Sequence, residues 1–184
     1  MKRIACLLFA GILLCLSLAG CGSDSAPATA GVQTHTAFTV AADDFMTQFI
    51  GLTMREPIFV SDKDSTVNQG GKIKTYSFDD NMYSNIRYTL SLDYQPADGL
   101  LSGVTLSSQL LEKADKSGHD TNPFFGLYAR EAIRALAPDA DLSAINDNCN
   151  FSGTSDADTS YQTSNLSIRT VIVNNTITMQ VTAL

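Results

Sequence analysis

The sequence of 184 residues has no tryptophan, two histidines and four cysteines, and only 12 basic side chains against 19 acidic ones. The shortage of positive charge, with no basic run anywhere, argues against binding DNA or RNA through their phosphates. After the first twenty residues, no apolar run approaches the roughly 20 residues that a membrane-spanning helix needs. The rest of the chain therefore predicts a single water-soluble globular domain.

The groups that carry common enzymatic chemistry are scarce as well. The sequence contains no Gly-x-Ser-x-Gly motif, no serine three residues before a lysine and no glycine-rich phosphate loop. Beyond His35, the remaining histidine is His119, beside Asp120 in a glycine-containing segment that is typical of a turn. One histidine and one remaining cysteine cannot supply a structural zinc site. We therefore predict a non-catalytic protein without a cofactor, and His119 is the base to test if an activity is found.

The first 21 residues have the parts of a secretion signal. Lys2 and Arg3 precede an apolar stretch over residues 4–16, and small residues close the segment. Leu18-Ala19-Gly20-Cys21 resembles the lipobox of bacterial lipoproteins at all four positions. The resemblance implies that the signal, residues 1–20, is removed, that a diacylglycerol is attached to the Cys21 sulfur, and that the new amino group is often acylated. An ordinary secretory leader with a chance cysteine is the alternative.

The residues after the lipobox predict where the domain is held. Gly22 stands where the family's inner-membrane retention signal has Asp, which implies the outer membrane if the host has one. Two or three acyl chains on one residue make release from a bilayer very slow. Residues 21–37 are small and polar, so we expect a flexible tether of roughly 22 Å. The sequence thus predicts a membrane-anchored, extracytoplasmic domain over residues 38–184.

The cysteines can be assigned by subtraction. Cys6 and Cys15 would leave with the signal and Cys21 would be lipidated, so Cys149 would be the remaining thiol and no intramolecular disulfide could form. Free cysteine is often buried, so we predict that Cys149 packs in the core. A nucleophile or an intermolecular bridge is the alternative.

Periodicity in the domain predicts an α+β fold. Helices are expected at residues 40–54, from Asn122-Pro123 to Pro138, and as a turn at 139–147. Strands are expected at 58–60, 72–78, 86–94, 101–110, 166–173 and 176–183, with weaker signals near Phe151 and Tyr161. Each helix has one apolar stripe and each hairpin one apolar face, so we expect an antiparallel sheet packed by two main helices.

The last hairpin allows a prediction of register. Asn174-Asn175 suits a two-residue turn, since asparagine tolerates the left-handed conformation that such a turn requires. This turn places Leu166 opposite Ala183 and Arg169 opposite Gln180. A shift by one residue would put polar side chains in the core.

Two segments of the domain are spaced as repeats would be. Phe45 and Phe124 lie 79 residues apart, and Ser84 and Ser164 lie 80 residues apart. The spacing suggests a duplicated αβββ unit over residues 38–110 and 122–184. Two similar units of independent origin are the alternative.

One face of the predicted sheet is polar and is our candidate interaction surface. Arg87 lies on this face, as do Arg169 and Gln180, and Tyr83 lies in a nearby polar segment. If the helices cover only the other side, this face could bind a protein or another component of the cell envelope. An ordinary solvated sheet face is the alternative.

Alternating acids suggest a different function. Asp62 and Asp64 lie in one predicted polar loop, and Asp139 and Asp141 lie in another. Such pairs can present oxygen ligands to Ca²⁺, although neither run has the spacing of a twelve-residue calcium loop. A small-ligand or Ca²⁺-binding lipoprotein is therefore the alternative function, and solvated surface acids are the simpler explanation.

Overall fold

A computed structural model describes residues 36–79, 86–110, 124–152, 155–174 and 176–184. Within these residues the chain forms three helices and seven strands. The helices are α1 (Ala42–Thr53), α2 (Phe125–Leu136) and α3 (Leu142–Asn148). The strands are β1 (Ile58–Asp64), β2 (Lys72–Asp79), β3 (Ile86–Tyr94), β4 (Leu101–Leu110), β5 (Ala157–Gln162), β6 (Leu166–Val173) and β7 (Thr176–Ala183). The predicted α+β class is confirmed.

All seven strands form one antiparallel sheet in the order β1-β2-β3-β4-β7-β6-β5. The order β2-β3-β4 in the first half is mirrored by β5-β6-β7 in the second, and β4 pairs with β7 at the centre. The first half has the additional strand β1, and the second half has the additional helix α3. A mirrored order is what a duplication would produce, and a common origin of the halves stays a prediction.

The predicted register of the last hairpin is confirmed. Leu166 lies opposite Ala183 and Arg169 opposite Gln180. Asn174 in the turn has a φ of 49°, the left-handed conformation that asparagine tolerates better than most residues. Side chains of β6 alternate between buried and accessible along the strand, as a half-buried strand requires.

Helices α1 and α2 each bury one apolar face against the sheet. In α2 the apolar stripe that the sequence analysis expects of each helix is buried, and it includes Phe125, Ala129, Ala132, Ile133 and Leu136. Phe49 of α1 contacts Phe78 of β2, and Tyr128 of α2 contacts Tyr88 of β3, with ring centroids 5.9 and 4.8 Å apart. Both helices therefore lie on the same side of the sheet. Among the described residues, no helix has the length and apolar character needed to cross a bilayer.

The start of α2 differs from the prediction. The helix begins at Phe125, with Phe124 at the N-cap position and no side-chain cap, whereas the sequence predicted Pro123 as its first residue. Asn122 and Pro123 lie outside the described residues. Helix ends are set by the packing of the first turn as well as by capping residues, and a difference of two residues is common.

Two strand predictions need correction. Strand β1 continues to Asp64, although the segment after Val60 was predicted to be a loop, because its charged residues lie opposite Lys72 and Lys74 of β2. No strand forms at Phe151, where the backbone makes a bend. The Phe151 side chain is buried, and the centre of its ring lies 6.4 Å from the centre of the Phe125 ring. An apolar side chain needs only a place in the core, and Phe151 reaches it from irregular backbone.

Candidate functional site: the open face of the sheet

Side chains of the sheet that point away from the helices form a surface that we call the open face. Along β3, the helix-side residues such as Tyr88 and Leu90 are fully buried, whereas Arg87, Thr89 and Ser91 on the other side are accessible to solvent. Since α1 and α2 both pack on the buried side, neither covers these residues. The open face is the polar face that the sequence predicts.

The centre of the open face is lined by two rows of polar side chains across four strands, and seven of these eight side chains carry a hydroxyl group. One row contains Ser77, Thr89, Ser107 and Thr178, and the next contains Thr75, Ser91, Thr105 and Gln180. Neighbouring strands lie about 4.8 Å apart, so the rows present closely spaced hydroxyl groups. The Thr75 and Ser91 hydroxyl oxygens are 3.4 Å apart. We call these eight residues the hydroxyl block.

Both arginines predicted as interaction residues lie on the open face, and each is paired with a carboxylate. Arg87 Nε lies 3.6 Å from Asp79 Oδ1. Arg169 donates two hydrogen bonds to the carboxylate of Asp158, at 3.0 and 2.7 Å. These hydrogen bonds lower the pKa of Asp158 and raise the pKa of Arg169. The open face is therefore close to neutral at both arginines.

The predicted interaction residues do not all come together. Gln180 lies directly opposite Arg169, and Thr105 follows Gln180 on the next strand. Arg87 is on β3 and Arg169 is on β6, three strand spacings away across the sheet, and the two positions are also offset by four residues along the strands. Together these offsets separate the two arginines by about 20 Å. The arginines therefore do not form one anion site. Tyr83 lies outside the described residues, and so do Cys21 and His119.

One end of the open face is closed by the segment that follows β1. Ser65 Oγ donates a hydrogen bond of 3.1 Å to Asp93 Oδ2, and the Asn68 amide donates to the Ser102 hydroxyl. The other carboxylate oxygen of Asp93 is buried and has no hydrogen-bond partner among the described residues. Because this oxygen is inaccessible to solvent, it is not available to a partner on the open face.

The acids predicted as metal ligands near β1 each contact a neighbouring polar or cationic side chain. Asp62 lies opposite Lys74 and accepts a hydrogen bond of 3.0 Å from the Tyr94 hydroxyl. Asp64 is 3.2 Å from the Lys72 ammonium. Within the part of the chain that the structure describes, no three His, Cys, Asp or Glu side chains are grouped to hold a metal ion.

Asp139 and Asp141 line a cavity of about 540 Å³ beside the start of α3. Tyr161 and Asn165 also line this cavity. Asp139 and Asp141, named as possible ligands, are thus brought close to Tyr161, which the sequence places in a different segment. Asp141 Oδ1 already accepts hydrogen bonds of 3.0 Å from the backbone of Ser143 and the next residue, which caps α3. Asp141 thus has a structural role in this cavity.

Cys149 is buried, as predicted, at 5% exposure. Burial raises the pKa of its thiol to about 11, so very little thiolate is present at neutral pH. The reactive form of cysteine is therefore suppressed in the folded chain.

The sequence alone did not reveal the hydroxyl block as a unit. Thr89, Ser91 and Thr178 lie on strands whose alternation is clear, whereas β4 has polar residues on both faces, such as Ser107 and Ser108, and its alternation is less clear. The rows become visible only when the order of β2, β3, β4 and β7 is known. No protein-family model matches this chain, and neither a curated protein sequence nor a solved structure matches it.

Proposed function

We propose that this protein is a lipid-anchored component of the bacterial cell envelope that binds a protein or another envelope component through the open face of its sheet. The observation that carries the proposal is a face of the seven-stranded sheet that none of the described helices covers, with the hydroxyl block at its centre. We assign no catalytic step to the protein.

The composition of the open face favours binding over simple exposure to solvent. Solvated antiparallel faces are common, so openness alone does not indicate a partner. Serine and threonine lose little side-chain entropy when they are covered, whereas lysine, arginine and glutamate lose up to about 2 kcal/mol each. A partner that covers the hydroxyl block would therefore immobilise few flexible side chains, and hydroxyl groups can donate and accept hydrogen bonds.

The N-terminal sequence supports the placement in the envelope. The complete lipobox at Leu18-Ala19-Gly20-Cys21 predicts an acylated Cys21, and the polar residues up to 37 predict a tether. The described chain becomes attached to the sheet at Phe38, whose backbone N–H donates to the Leu101 carbonyl at 2.7 Å. A domain held in this way would meet partners within a few nanometres of the bilayer.

A photo-crosslinking experiment tests the proposal in the native envelope. A benzophenone side chain is introduced into the full chain at Thr105, in the hydroxyl block, and at Gln48, an exposed position on α1, as the matched control. We expect one discrete crosslinked product from Thr105 and none of that mass from Gln48. The product should disappear when Thr178→Arg is added. Identical products from both positions, or none from Thr105, would contradict the proposal.

A second candidate function has one specific observation in its favour, the cavity that joins Asp139, Asp141 and Tyr161. A small-ligand or Ca²⁺-binding protein would bind there and would be stabilised by its ligand. Thermal melting with and without millimolar CaCl₂ tests the calcium version. A rise in Tm that Asp139→Asn abolishes would support it, and an unchanged Tm would exclude it.

A further inference from the structure

Strand β1 is one edge of the sheet, and in the described residues it is paired with β2 alone. Its outer side therefore presents backbone N–H and C=O groups that another strand can pair with. The opposite edge, β5, is polar over Ala157–Gln162 and lies beside α3. The two edges of the sheet are thus chemically different.

Strand β1 begins with three exposed apolar residues. Ile58 is 71% exposed, and Phe59 and Val60 are each 56% exposed. Nearby, Met54 at the end of α1 is 85% exposed. Met54 and Ile58 line the same groove, so the exposed apolar residues at the end of α1 and at the start of β1 are neighbours in space. Such clustering is typical of an interaction surface, whereas single exposed apolar residues need no explanation.

A groove of about 370 Å³ lies beside this apolar start of β1. Met54, Ile58 and Phe78 contribute to its lining, with Asp79 at one side. The groove is large enough to accept an aliphatic side chain from a strand that pairs with β1. A partner strand would thereby gain a side-chain contact in addition to backbone hydrogen bonds.

The second half of β1 carries negative charge on its helix side. Asp62 and Asp64 share this side with Asp43, and these three carboxylates face two ammonium groups, those of Lys72 and Lys74. One negative charge is in excess. A basic residue in a partner strand would therefore be attracted to this half of β1.

A second copy of the chain does not fit this edge well. Two β1 strands could pair antiparallel with their Ser61 residues opposite each other, and Val60 would then be the unpaired residue of the bulge. This pairing would place the apolar side chains of Phe59 and Ile58 opposite the charged side chains of Asp62 and Lys63. Pairing about Asp62 would bring two carboxylates together, which is destabilising. The charge pattern therefore favours a different partner over self-association.

We propose that β1 is a docking edge for an extended segment of a partner protein, which adds an eighth, antiparallel strand to the sheet. The segment carries apolar side chains opposite Ile58 and Phe59 and basic side chains opposite Asp62 and Asp64. Pro57 and Lys63 limit the pairing to a short stretch, since proline and lysine oppose indefinite strand addition. The start of this edge borders the open face, because Ile58 lies opposite Ser77 of the hydroxyl block, but pairing with the β1 backbone does not require a partner on that face.

The test uses a defined probe, the acetylated and amidated peptide Lys-Ser-Lys-Thr-Val-Val-Thr, and the full-length chain in detergent. Hydrogen exchange is measured by mass spectrometry with and without the peptide. We expect exchange of residues 58–64 to slow by about tenfold or more, with β5 unchanged. A peptide with glutamate in place of lysine should bind about tenfold more weakly, since like charges then meet at Asp62 and Asp64.

Variants at exposed positions keep the test independent of folding. Ile58→Lys should weaken peptide binding by about tenfold or more. Val173→Lys, an exposed apolar strand residue at 47% exposure, is the matched control and should leave binding unchanged. Thr178→Arg, in the hydroxyl block, should also leave it unchanged, which separates this proposal from the function proposed above. Circular dichroism confirms that each variant is folded.

Three results would overturn the proposal. The first is peptide binding that leaves the exchange of residues 58–64 unaltered, or no binding at all. The second is protection of these residues by concentration-dependent dimers, which would assign the edge to a second copy. The third is binding of a Cys21→Ala chain to phosphatidylglycerol vesicles that Ile58→Lys abolishes, which would assign the apolar cluster to a membrane surface.

Discussion

Arg55 Nε donates a hydrogen bond of 2.8 Å to the Tyr128 hydroxyl, and the Arg55 guanidinium lies 5.8 Å from the centre of the same ring. This contact joins the segment that follows α1 to the first turn of α2. The Tyr128 ring packs in turn against Tyr88 and Phe78, with centroids 4.8 and 5.2 Å away. The chain that leaves α1 is thus fixed to the core immediately before β1 begins.

Replacing the Tyr128 hydroxyl should destabilise the fold measurably. Tyr128→Phe keeps the ring contacts and removes the acceptor of the Arg55 hydrogen bond, so we expect the free energy of unfolding to fall by about 1–2 kcal/mol. Urea unfolding followed by circular dichroism measures the change. Tyr161→Phe, on the edge strand β5, is the control and should change the free energy by less than about 0.5 kcal/mol. Equal losses in the two variants would contradict the structural role of this hydrogen bond.

The turn at Asn174 should be sensitive to β-branching. Its φ of 49° is unfavourable for most side chains, so Asn174→Val should lower the free energy of unfolding by about 1–2 kcal/mol. Asn174→Gly adopts this conformation readily and should be close to neutral. Thermal melting distinguishes the two variants. A valine variant that melts like the glycine variant would show that the turn conformation differs from the one described.

Cys149 should be protected from reagents in the folded chain. In a chain with Cys6, Cys15 and Cys21 replaced by serine, we expect an aromatic disulfide reagent at pH 8 to react slowly with Cys149 and fully in guanidinium chloride. Burial raises the pKa of the thiol from 9.0 to about 11, which means that the folded state favours the neutral form. Stability from this group is complete below pH 9 and is lost as the pH rises toward 11. Cys149→Ala should remove this alkaline loss, and rapid labelling of the native chain would contradict the burial.

The exposed ion pair of Asp158 and Arg169 should change the pKa of Asp158 but have little effect on the stability of the fold. The hydrogen bonds from Arg169 lower the pKa of Asp158, so Arg169→Ala should raise that pKa toward its ordinary value of 3.8. The contribution of this pair to folding stability is complete when the pH is above the ordinary pKa of Asp158, and it is lost as the pH falls through the lowered pKa. Nuclear magnetic resonance titration of the Asp158 carboxyl measures the shift. We expect little change in Tm at pH 7, because exposed ion pairs contribute little to stability.

Lipidation at Cys21 can be tested by mass. The native protein isolated from its membrane should begin at Cys21 and carry the added mass of two or three acyl chains. Cys21→Ala should abolish this added mass, because the sulfur that would carry the diacylglycerol is absent. An N-terminus elsewhere in the wild-type protein would contradict the lipobox assignment.

Local patterns predicted much of the fold. Strict alternation over Ile86–Tyr94 identified which side chains of β3 are buried, because successive residues of a strand point to opposite faces. Asn174 fixed the register of β6 and β7 in the same way, since the turn determines which residues are opposite.

Other features depended on contacts that local patterns do not show. Asp62 and Asp64 looked like loop residues because their lysine partners lie on another strand. The hydroxyl block required the lateral order of four strands, including the pairing of β4 with β7. The charge pattern of β1 and the composition of the open face therefore became interpretable only in three dimensions.

The pairing of β4 with β7 brings two distant parts of the polypeptide together at the centre of the sheet. Thr105 and Gln180, which lie opposite each other there, are far apart along the chain. Until β7 is available, β5 and β6 have no neighbouring strand that connects them to the first half. A polypeptide that is synthesised from its N-terminus therefore cannot complete the sheet until almost its whole length is available, so the second half of the sheet joins the first only at the end of synthesis.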